Sequence, residues 1–524
     1  MVSKSLSSHD SVGPLDPTGR AGRWWTLVVL CISLLVISLD NTILNVALPS
    51  IIRDLHASSS DLQWVVDSYV VVFAGLLLVL GSLGDRIGRK WTFMAGLLVF
   101  GAGSAASAFS GTPGHLVAAR AFMGIGAAAV MPSTLSILTN VFIEPNERAR
   151  AIGIWSGTMG IGVAIGPVAG GWLLAHYWWG SVFLVNVPIA LVGMLAAAML
   201  VPNSKSSHSD APDVLGGLLS TSGMGAMLWG IIDAPTRGWG SGWVLVSIFA
   251  GVSLLVLFAV WERYSAHPML DVDLFRNRRF SVAMGSMGML MFALMGGLFL
   301  LTQYLQFSLG FSPLQTGLRI APIAAVILVA APISNLVVRR VGTKVVVASG
   351  LALIAVGLAI LSGVTVFGTY LDVLPSFFLI GIGTGIAFAP STESVMGALP
   401  LERAGVGSAT NGAALQIGGG LGVGVLGSIL NTRYMGRLSP SLSGYQIPRT
   451  VASTIEGSLG GALAVAQRVG GSLGADLGQL AKVSFVSGMD LAITVGSVVV
   501  GAAAVTVVAM LPSKAASESA EEAD

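Results

Sequence analysis

Residues 151–175 read AIGIWSGTMGIGVAIGPVAGGWLLA, an apolar stretch with glycine at every fourth position of its middle part. The repeat is Gly162, Gly166 and Gly170, with Pro167 and Gly171 beside it. In water, proline costs a helix interior about 3 kcal/mol and each glycine about 1 kcal/mol. In hydrocarbon the backbone must satisfy its own hydrogen bonds, so the segment stays helical, bends and packs closely against a neighbour. The stretch predicts a membrane helix that is either a small-residue packing face or a bend between moving parts.

The composition assigns the whole chain to the membrane. Of its 524 residues, 54% are hydrophobic and only 10% are charged, and the mean hydropathy is +0.83. Apolar runs of ~20 residues bounded by charges each predict one membrane-spanning helix. Fourteen such runs lie near 24–48, 61–84, 91–110, 114–139, 149–175, 181–201, 214–232, 243–262, 281–306, 314–338, 345–366, 373–397, 405–430 and 485–511. The predicted fold class is therefore an all-α polytopic membrane protein.

Lysine and arginine set the predicted orientation. With the N-terminus inside, the short outer loops hold only Arg53 and Arg237, whereas the inner segments hold most of the other basic residues. The long outer segment 431–484 carries five more, but long translocated loops escape this rule. We therefore expect an inner-membrane protein with both termini in the cytoplasm.

Several function classes lack the residues they need. The net charge of +2 gives no reason to expect a nucleic-acid partner, and Cys31 is the single cysteine, so there is no intrachain disulfide or thiolate metal cluster. The six histidines have no metal-ligand spacing, and no phosphate-binding GxxxxGK[ST] loop is present. We expect neither an enzyme nor a metal or cofactor site, and we expect the proton gradient to be the energy source.

The spans divide into two blocks of six joined by two extra spans, and the blocks contain a faint repeat. GSLGDRIGRK (81–90) follows span 2, and NLVVRRVGTK (335–344) follows span 10 at the matching place. Repeated six-span halves are typical of rocker-type transporters, although short basic loops also recur by chance. The predicted units are a cytoplasmic tail 1–23, a first half 24–201, a linker 202–280, a second half 281–511 and an acidic tail 512–524. Within the second half, 431–484 predicts a weakly amphipathic helical cap on the outer face.

Three charged residues lie inside the predicted spans at one depth. Asp40, Asp67 and Arg120 fall roughly 9–12 Å below the outer boundary at 1.5 Å per residue. A charge at such a depth costs about 2.5–3.5 kcal/mol by insertion scales, so it needs a reason. The reason is either proton coupling or a static ion pair that fixes helix packing, and Asp67 can also simply face outer water.

Other polar residues near the span ends are candidates for a cargo pathway. They are Asn45, Trp64, Gln303, Tyr304, Gln306 and Glu393, with Asn186 as a further possible lining residue. Trp64 fits an aromatic belt at the membrane surface equally well, and Glu393 fits a cytoplasmic surface better than a cavity.

The segment 81–90 predicts a tight reversal between spans 2 and 3. Gly81, Gly84 and Gly88 permit the turn, and Asp85 is expected at the start of the next helix, where its charge suits the positive helix end. A basic loop that only sets topology explains the arginines but not Asp85 or the glycines.

The order of these motifs resembles the major facilitator superfamily over essentially the whole chain. GSLGDRIGRK resembles its loop 2–3 signature, LVAARAFMGIGAA (116–128) its fourth-span arginine motif, and GVAIGPVAGGWL (162–173) its antiporter motif. LDNTILNVALP (39–49) resembles the first-span motif of the fourteen-span drug:proton antiporters. QWVVDSY (63–69) and WWGSVFLVNVP (178–188) resemble the branch that exports quaternary ammonium compounds, viologens and dyes. Met123 and Leu415 depart from the Gln and Arg common at their positions.

The resemblance implies a role for each motif. Its fold would make spans 1, 2 and 4 neighbours, so that Asp40, Asp67 and Arg120 meet in one proton-coupling cluster, with Asp40 as the principal proton acceptor. The loop residues would latch the cytoplasmic side: Gly81, Asp85, Arg86, Gly88, Arg89 and Lys90. The antiporter motif would give the bend and the leak-resistant contact between halves: Gly162, Gly166, Pro167, Gly170 and Gly171.

We therefore expect a monomeric proton-coupled exporter of amphipathic, cationic small molecules that works by alternating access in the lipid bilayer. An exporter dedicated to one endogenous metabolite, antibiotic or lipid is the alternative within transport. A receptor or scaffold that transports nothing is the alternative from another class.

Overall fold

The computed structural model describes residues 20–205, 212–265, 268–397, 404–442 and 447–511. These residues form helices joined by short turns, with no strand among them. The first half contains α1 (Arg20–Leu55), α2 (Ser59–Ile87), α3 (Arg89–Ala108), α4 (Pro113–Val141), α5 (Pro145–His176), α6 (Ser181–Leu184) and α7 (Asn186–Leu200). The linker contains α8 (Val214–Arg237), α9 (Gly242–Tyr264) and a 3₁₀ turn (Val272–Arg276). The second half contains α10 (Arg278–Gln303), a π-helical turn (Tyr304–Ser308), α11 (Pro313–Val341), α12 (Thr343–Ser362), α13 (Tyr370–Met396), α14 (Ala404–Leu442), α15 (Arg449–Gly457), α16 (Leu459–Val469) and α17 (Gly471–Met510). The predicted acidic tail, and the N-terminal tail up to residue 19, lie outside the described residues.

Fourteen helices of the described chain are long and apolar enough to cross a membrane, which confirms the predicted number. One of them is α6 with α7, interrupted at Val185, and another is α10 with the π-helical turn. In α9 only 11% of the most apolar 18-residue stretch is buried inside the protein, so this helix presents most of its surface to lipid.

The ends of α2 and α11 show that the faint repeat is a structural one. Each helix begins with a serine capping box, from Ser58 in α2 and from Ser312 in α11, which satisfies backbone N–H groups of the first turn. Each then meets the next helix through one glycine of positive φ, at 128° in Gly88 and 82° in Gly342. Side chains other than glycine rarely adopt this backbone conformation, which explains why both segments 81–90 and 335–344 keep the glycine.

The linker helix α8 packs against both halves. Along α2, the side chain of Thr221 occupies the space that a Cβ on Gly75 would need. Farther along α8, the hydroxyl of Ser428 in α14 donates to the carbonyl of Ile231 at 2.6 Å. The helix therefore lies over the seam where α2 of the first half meets α14 of the second.

The segment 431–484 is more helical than the sequence indicates. Two long helices take up much of it, because α14 runs on to Leu442 and α17 already begins at Gly471. The short helices α15 and α16 lie between them and are called the cap here. Tyr434 donates its hydroxyl to the carbonyl of Ile455 in the cap at 2.8 Å, and Gly460 of the cap packs against Ile52 of α1. The end of the bundle that carries α15 and α16 is the cap end, and the segment 81–90 lies at the opposite end.

The two halves touch mainly towards the cap end. The amide of Gln63 in α2 donates to the carbonyl of Gly424 in α14 at 2.9 Å, and Gly171 of α5 packs against the backbone of α11. Towards the opposite end, a Cβ on Gly153 or Gly157 of α5 would have no atom within 4 Å. The bundle is therefore closed at the cap end, and Gly153 and Gly157 take no part in contacts between the halves.

Candidate functional site

Asp40 of α1 and Arg120 of α4 form a buried ion pair, as the sequence predicts. Nη1 of Arg120 lies 2.5 Å from Oδ2 of Asp40, and the two side chains are 1% and 0% exposed. Nε of Arg120 donates to the backbone carbonyl of Val65 in α2 at 3.1 Å. One guanidinium therefore holds three helices of the first half together, with its charge balanced by the carboxylate.

An aromatic ring covers the guanidinium. Cζ of Arg120 lies 4.3 Å from the ring centroid of Tyr69, which is fully buried and follows Val65 by one turn of α2. A cation over a tyrosine face gains about 2 kcal/mol when water is excluded. Tyr69 is not among the predicted site residues, although its place in QWVVDSY, two residues after Asp67, is a usable signal.

Asn186 completes the environment of Asp40. Its Nδ2 donates to Oδ1 of Asp40 and to the hydroxyl oxygen of Ser104 in α3, both at 3.0 Å. Ser104 in turn donates to the carbonyl of Phe183 at 2.9 Å. Both oxygens of Asp40 therefore have partners, and Asn186 is a neighbour of the ion pair rather than a lining residue of a cargo cavity.

Asp67 does not join this cluster, so the expectation of a single three-residue site is wrong. Residues 65 and 67 lie about 200° apart around a helix. Because Arg120 binds the Val65 side of α2, Asp67 points the opposite way, towards α14. There its Oδ1 lies 3.4 Å from the place that a Cβ on Gly420 would take. Its Oδ2 lies 3.2 Å from the corresponding place on Gly424. It is completely buried, and neither oxygen has a hydrogen-bond partner among the described residues.

Met123 takes a direct part in the arginine site. Its Sδ accepts from the hydroxyl of Ser107 at 3.3 Å and lies 3.8 Å from Nη1 of Arg120. The thioether is a weak acceptor, so its contact with the guanidinium is weak.

The predicted cargo-pathway residues at the end of α10 and in the π-helical turn make helix contacts in this structure. Gln303 bonds the carbonyl of Phe299 one turn earlier, and Tyr304 donates to the carbonyl of Thr365 at 2.8 Å. Gln306 donates to the carbonyl of Val46 in α1 at 2.9 Å, which places it across the contact between halves. All three side chains are buried in packing at the cap end.

The other predicted lining residues are scattered. Asn45 is buried in α1 and bonds the carbonyl of Asn41. Trp64 packs at 5.5 Å, ring to ring, against Trp229 of the linker, and Glu393 is exposed near the end of α13. The structure does not bring these three residues to one place with the ion pair.

The segment 81–90 forms a junction between α2 and α3 that is tighter than expected. Asp85 lies in the last turn of α2, not at the start of α3, because the helix continues to Ile87. It pairs across Gly88 with Nε of Arg89 at 2.6 Å. Only Gly88 needs its positive φ, whereas Gly81 packs against Pro132 of α4.

Two basic residues of the segment anchor α3 to its neighbours. Nη1 of Arg89 donates to the carbonyl of Ser136 in α4 at 3.3 Å, and Nζ of Lys90 donates to the carbonyl of Ala198 in α7 at 2.8 Å. Arg86 is exposed. All these contacts lie within the first half.

The glycine repeat of α5 divides between two neighbours. Gly162, Gly166 and Gly170 face α1, where an added Cβ would overlap Ser38, Thr42 and Ile43 respectively. Gly171 faces α11 instead. The repeat itself thus packs α5 within the first half, and contact with the second half comes from the residues beside it.

Chemically, the site offers a carboxylate held by the Arg120 guanidinium and the Asn186 amide. No group of three or more potential metal-ligating side chains occurs in the described parts of the chain. A proton that binds to Asp40 would remove the negative member of a buried pair and leave the guanidinium uncompensated. The geometry therefore suits a proton-controlled change of structure.

The chain is similar to known transporters along its length. Residues 30–423 match the Major Facilitator Superfamily. The chain is 33% identical over 511 residues to the tetracenomycin C resistance and export protein of Streptomyces glaucescens, covering 96% of this chain and 95% of that protein. It is 36% identical over 440 residues to the methyl viologen resistance protein SmvA of Salmonella typhimurium, covering 82% and 88%.

A solved structure shares the fold. It is a bacterial homolog of the human lysosomal transporter Spinster in an inward-facing and unoccupied conformation, with a TM-score of 0.66 and 18% identity, covering 95% of this chain and 100% of that one. Together with the match of residues 30–423 and the fourteen apolar helices, this likeness identifies a multi-pass membrane protein. The chain belongs to the major facilitator superfamily.

Proposed function

We propose that this protein exports amphipathic, cationic small molecules across the inner membrane in exchange for protons. The observation that carries the proposal is the fully buried Asp40–Arg120 pair at the centre of the first half. The names of the two relatives, which concern resistance and export, support the direction of transport. In this arrangement the cap end faces outside and both termini lie in the cytoplasm.

Protonation of Asp40 is the step that we couple to the change of conformation. Removing one member of a buried ion pair leaves the other charge uncompensated, at a cost of about 3–5 kcal/mol. A shift from 1:99 to 99:1 between two states needs about 5.5 kcal/mol, and protonation of Asp40 contributes to it only as far as the surroundings of the pair differ between the two states. The proton arrives from outside when the cap end is open and leaves to the cytoplasm when it is closed.

Asp67 is the second carboxylate of the proposed mechanism. It lies in the seam between α2 and α14, so opening of the cap end would expose it, while closing buries it without a partner. An unpaired ionised carboxylate is costly in such surroundings. We propose that it closes into the seam only with a proton or with the positive charge of a cargo molecule beside it.

The tetracenomycin C resistance and export protein among the relatives favours a second candidate function, which is export of one dedicated compound. The same site chemistry serves both functions. A panel of cationic and neutral cargoes separates them, because a dedicated exporter transports one chemical series and a multidrug exporter several.

The test is efflux of a cationic dye from energised membrane vesicles, comparing wild type with Asp40→Asn. Asp490→Asn is the matched control, since Asp490 is an exposed carboxylate within α17. We expect dye export to stop in Asp40→Asn and with an uncoupler, and to persist in the control. Export that survives both treatments would refute proton antiport. Coupled export in Asp40→Asn alone would move the proton site to Asp67.

A further inference from the structure

Asn186 occupies a break in a membrane-spanning helix. It is the first residue of α7, directly after Val185, where the helix that began at Ser181 is interrupted. Its side chain is fully buried, and its two amide hydrogens point at Asp40 and Ser104. Its carbonyl oxygen, Oδ1, is buried and has no hydrogen-bond partner among the described residues.

A buried acceptor without a partner is costly, so Oδ1 is expected to have a use in another state of the protein. The carboxyl group of Asp40, which lies beside Asn186, supplies this use. An ionised carboxylate only accepts hydrogen bonds, whereas a protonated carboxyl also donates one through its O–H. An amide carries both functions on one planar group, and a rotation of 180° about its Cβ–Cγ bond exchanges them.

We propose that Asn186 is a positioning residue that serves both protonation states of Asp40. In the present arrangement its Nδ2 donates to the carboxylate. After a proton binds to Asp40, the amide rotates and Oδ1 accepts the new O–H. No covalent bond changes other than the O–H bond of Asp40, and its proton comes from the outer solution. The inference rests on the proposed role of Asp40 in proton transport.

The rotation has a consequence for the helix break. Ser104 now accepts from Nδ2 and donates to the carbonyl of Phe183 in α6. After the rotation Oδ1 faces Ser104, so the hydroxyl turns to donate to Oδ1 and releases the Phe183 carbonyl. Proton arrival at α1 thereby changes a hydrogen bond of α6, two residues before the interruption at Val185.

The other described groups around Asp40 do not combine a hydrogen bond to the carboxylate with an acceptor on the same side chain. From α4 the guanidinium of Arg120 donates and has no acceptor, and from α2 the phenol of Tyr69 faces the guanidinium through its ring. From α3 the nearest polar group is the hydroxyl of Ser104, which contacts Asn186. Among these neighbours, Asn186 is the one that both touches the carboxylate and carries a free acceptor.

The test follows the carboxyl C=O stretch of Asp40 by infrared difference spectroscopy during a pH titration in proteoliposomes, with cargo transport measured over the same pH range. The band is assigned by its loss in Asp40→Asn. Asn186→Leu removes both the donor to the ionised form and the acceptor for the protonated form. We expect the C=O band to move to higher wavenumber, because the protonated form loses its acceptor. Asn186→Gln keeps the amide and should restore much of the band position.

The controls separate positioning from support of the fold. Asn186→Ala is measured beside Asn186→Leu in case the larger side chain prevents folding, and Ser133→Ala removes a buried hydroxyl that bonds only its own helix. A variant that loses transport equally at every pH, with the band unchanged, would overturn the inference. If Asp40→Asn leaves the band in place, the proposed proton site fails instead, so the two failures are distinguishable.

Discussion

Gly171→Ala tests whether the seam between α5 and α11 holds the cap end closed. An added Cβ would lie 2.6 Å from the carbonyl oxygen of Pro313 and 2.8 Å from Cα of Leu314, both backbone atoms of α11. Backbone cannot give way as a flexible side chain does. To go from 2.6 Å to the 3.4 Å of an ordinary contact, α11 must retreat by about 0.8 Å.

The overlap between the new Cβ and α11 costs free energy only in the conformation in which the cap end is closed. Overpacking of this kind costs about 1–3 kcal/mol in the closed state. It vanishes when the halves separate at the cap end. A difference of 1–3 kcal/mol changes an equilibrium by about 5- to 150-fold. We therefore expect Gly171→Ala to favour the cap-open state strongly while the two halves remain folded.

The assay is a distance measurement between spin labels on the two halves at the cap end. Labels at Phe109 and Phe367, which are 71% and 84% exposed, report the separation in a Cys31→Ser background. The population at the longer distance should grow in Gly171→Ala. Gly157→Ala is the matched control on the same helix, since its Cβ meets no atom within 4 Å.

A second control separates the two neighbours of α5. In Gly166→Ala the new Cβ would overlap Thr42 of α1, a contact within the first half that exists in both states. We expect this variant to lower thermal stability and to leave the distance distribution unchanged. The reasoning is refuted if Gly171→Ala has the wild-type distribution, or if Gly166→Ala changes the distribution as much.

Two further predictions concern polar contacts. Gln63→Ala removes a donor to α14 across the other seam and should favour the cap-open state by about 2- to 12-fold on the same labels, from a net hydrogen-bond contribution of about 0.5–1.5 kcal/mol; an unchanged distribution would contradict this. Asp85→Asn breaks a partly exposed pair with Arg89 and should cost less than about 1 kcal/mol of unfolding free energy, yet it should reduce vesicle transport severalfold if the junction is a latch. If transport falls only in proportion to the amount of folded protein, the junction between α2 and α3 is not a latch.

The sequence predicts the number of spans, the two halves and the Asp40–Arg120 pair because each depends on a one-dimensional property. Window hydropathy counts the spans, and residue depth follows from the position within a run. The repeated glycines at 88 and 342 mark equivalent junctions because both need a positive φ.

The direction in which a side chain points around its helix is what the sequence leaves open. Asp67 shares the depth of Arg120, but its side chain leaves α2 on the opposite side. Membrane helices are apolar all round, so no hydrophobic stripe marks the face that each residue occupies. The same reason hides the partners of Gln306 and Asn186, which are fixed by tertiary contacts with α1.

The ends of the last helices were also unpredictable from composition. Between Leu442 and Gly471 the chain is rich in alanine, glycine and serine, with few charges to mark a membrane boundary. Helix ends normally show in capping residues and charge, and here α14 and α17 simply continue beyond the apolar runs.

The placement of the two carboxylates on either side of α2 bears directly on coupling. The Asp40 site is internal to the first half, so separation of the halves does not by itself change its contacts. The contacts of Asp67, in contrast, do change when the halves separate. Its surroundings come from α14 and are lost as soon as the seam opens. One helix joins the two, because Arg120 binds the carbonyl of Val65 while Gln63 and Asp67 face α14. A loss of the Asp40–Arg120 pair that frees Val65 would act on the same turns of α2 that close the seam. We therefore expect α2 to be the element through which proton binding and opening of the cap end influence each other.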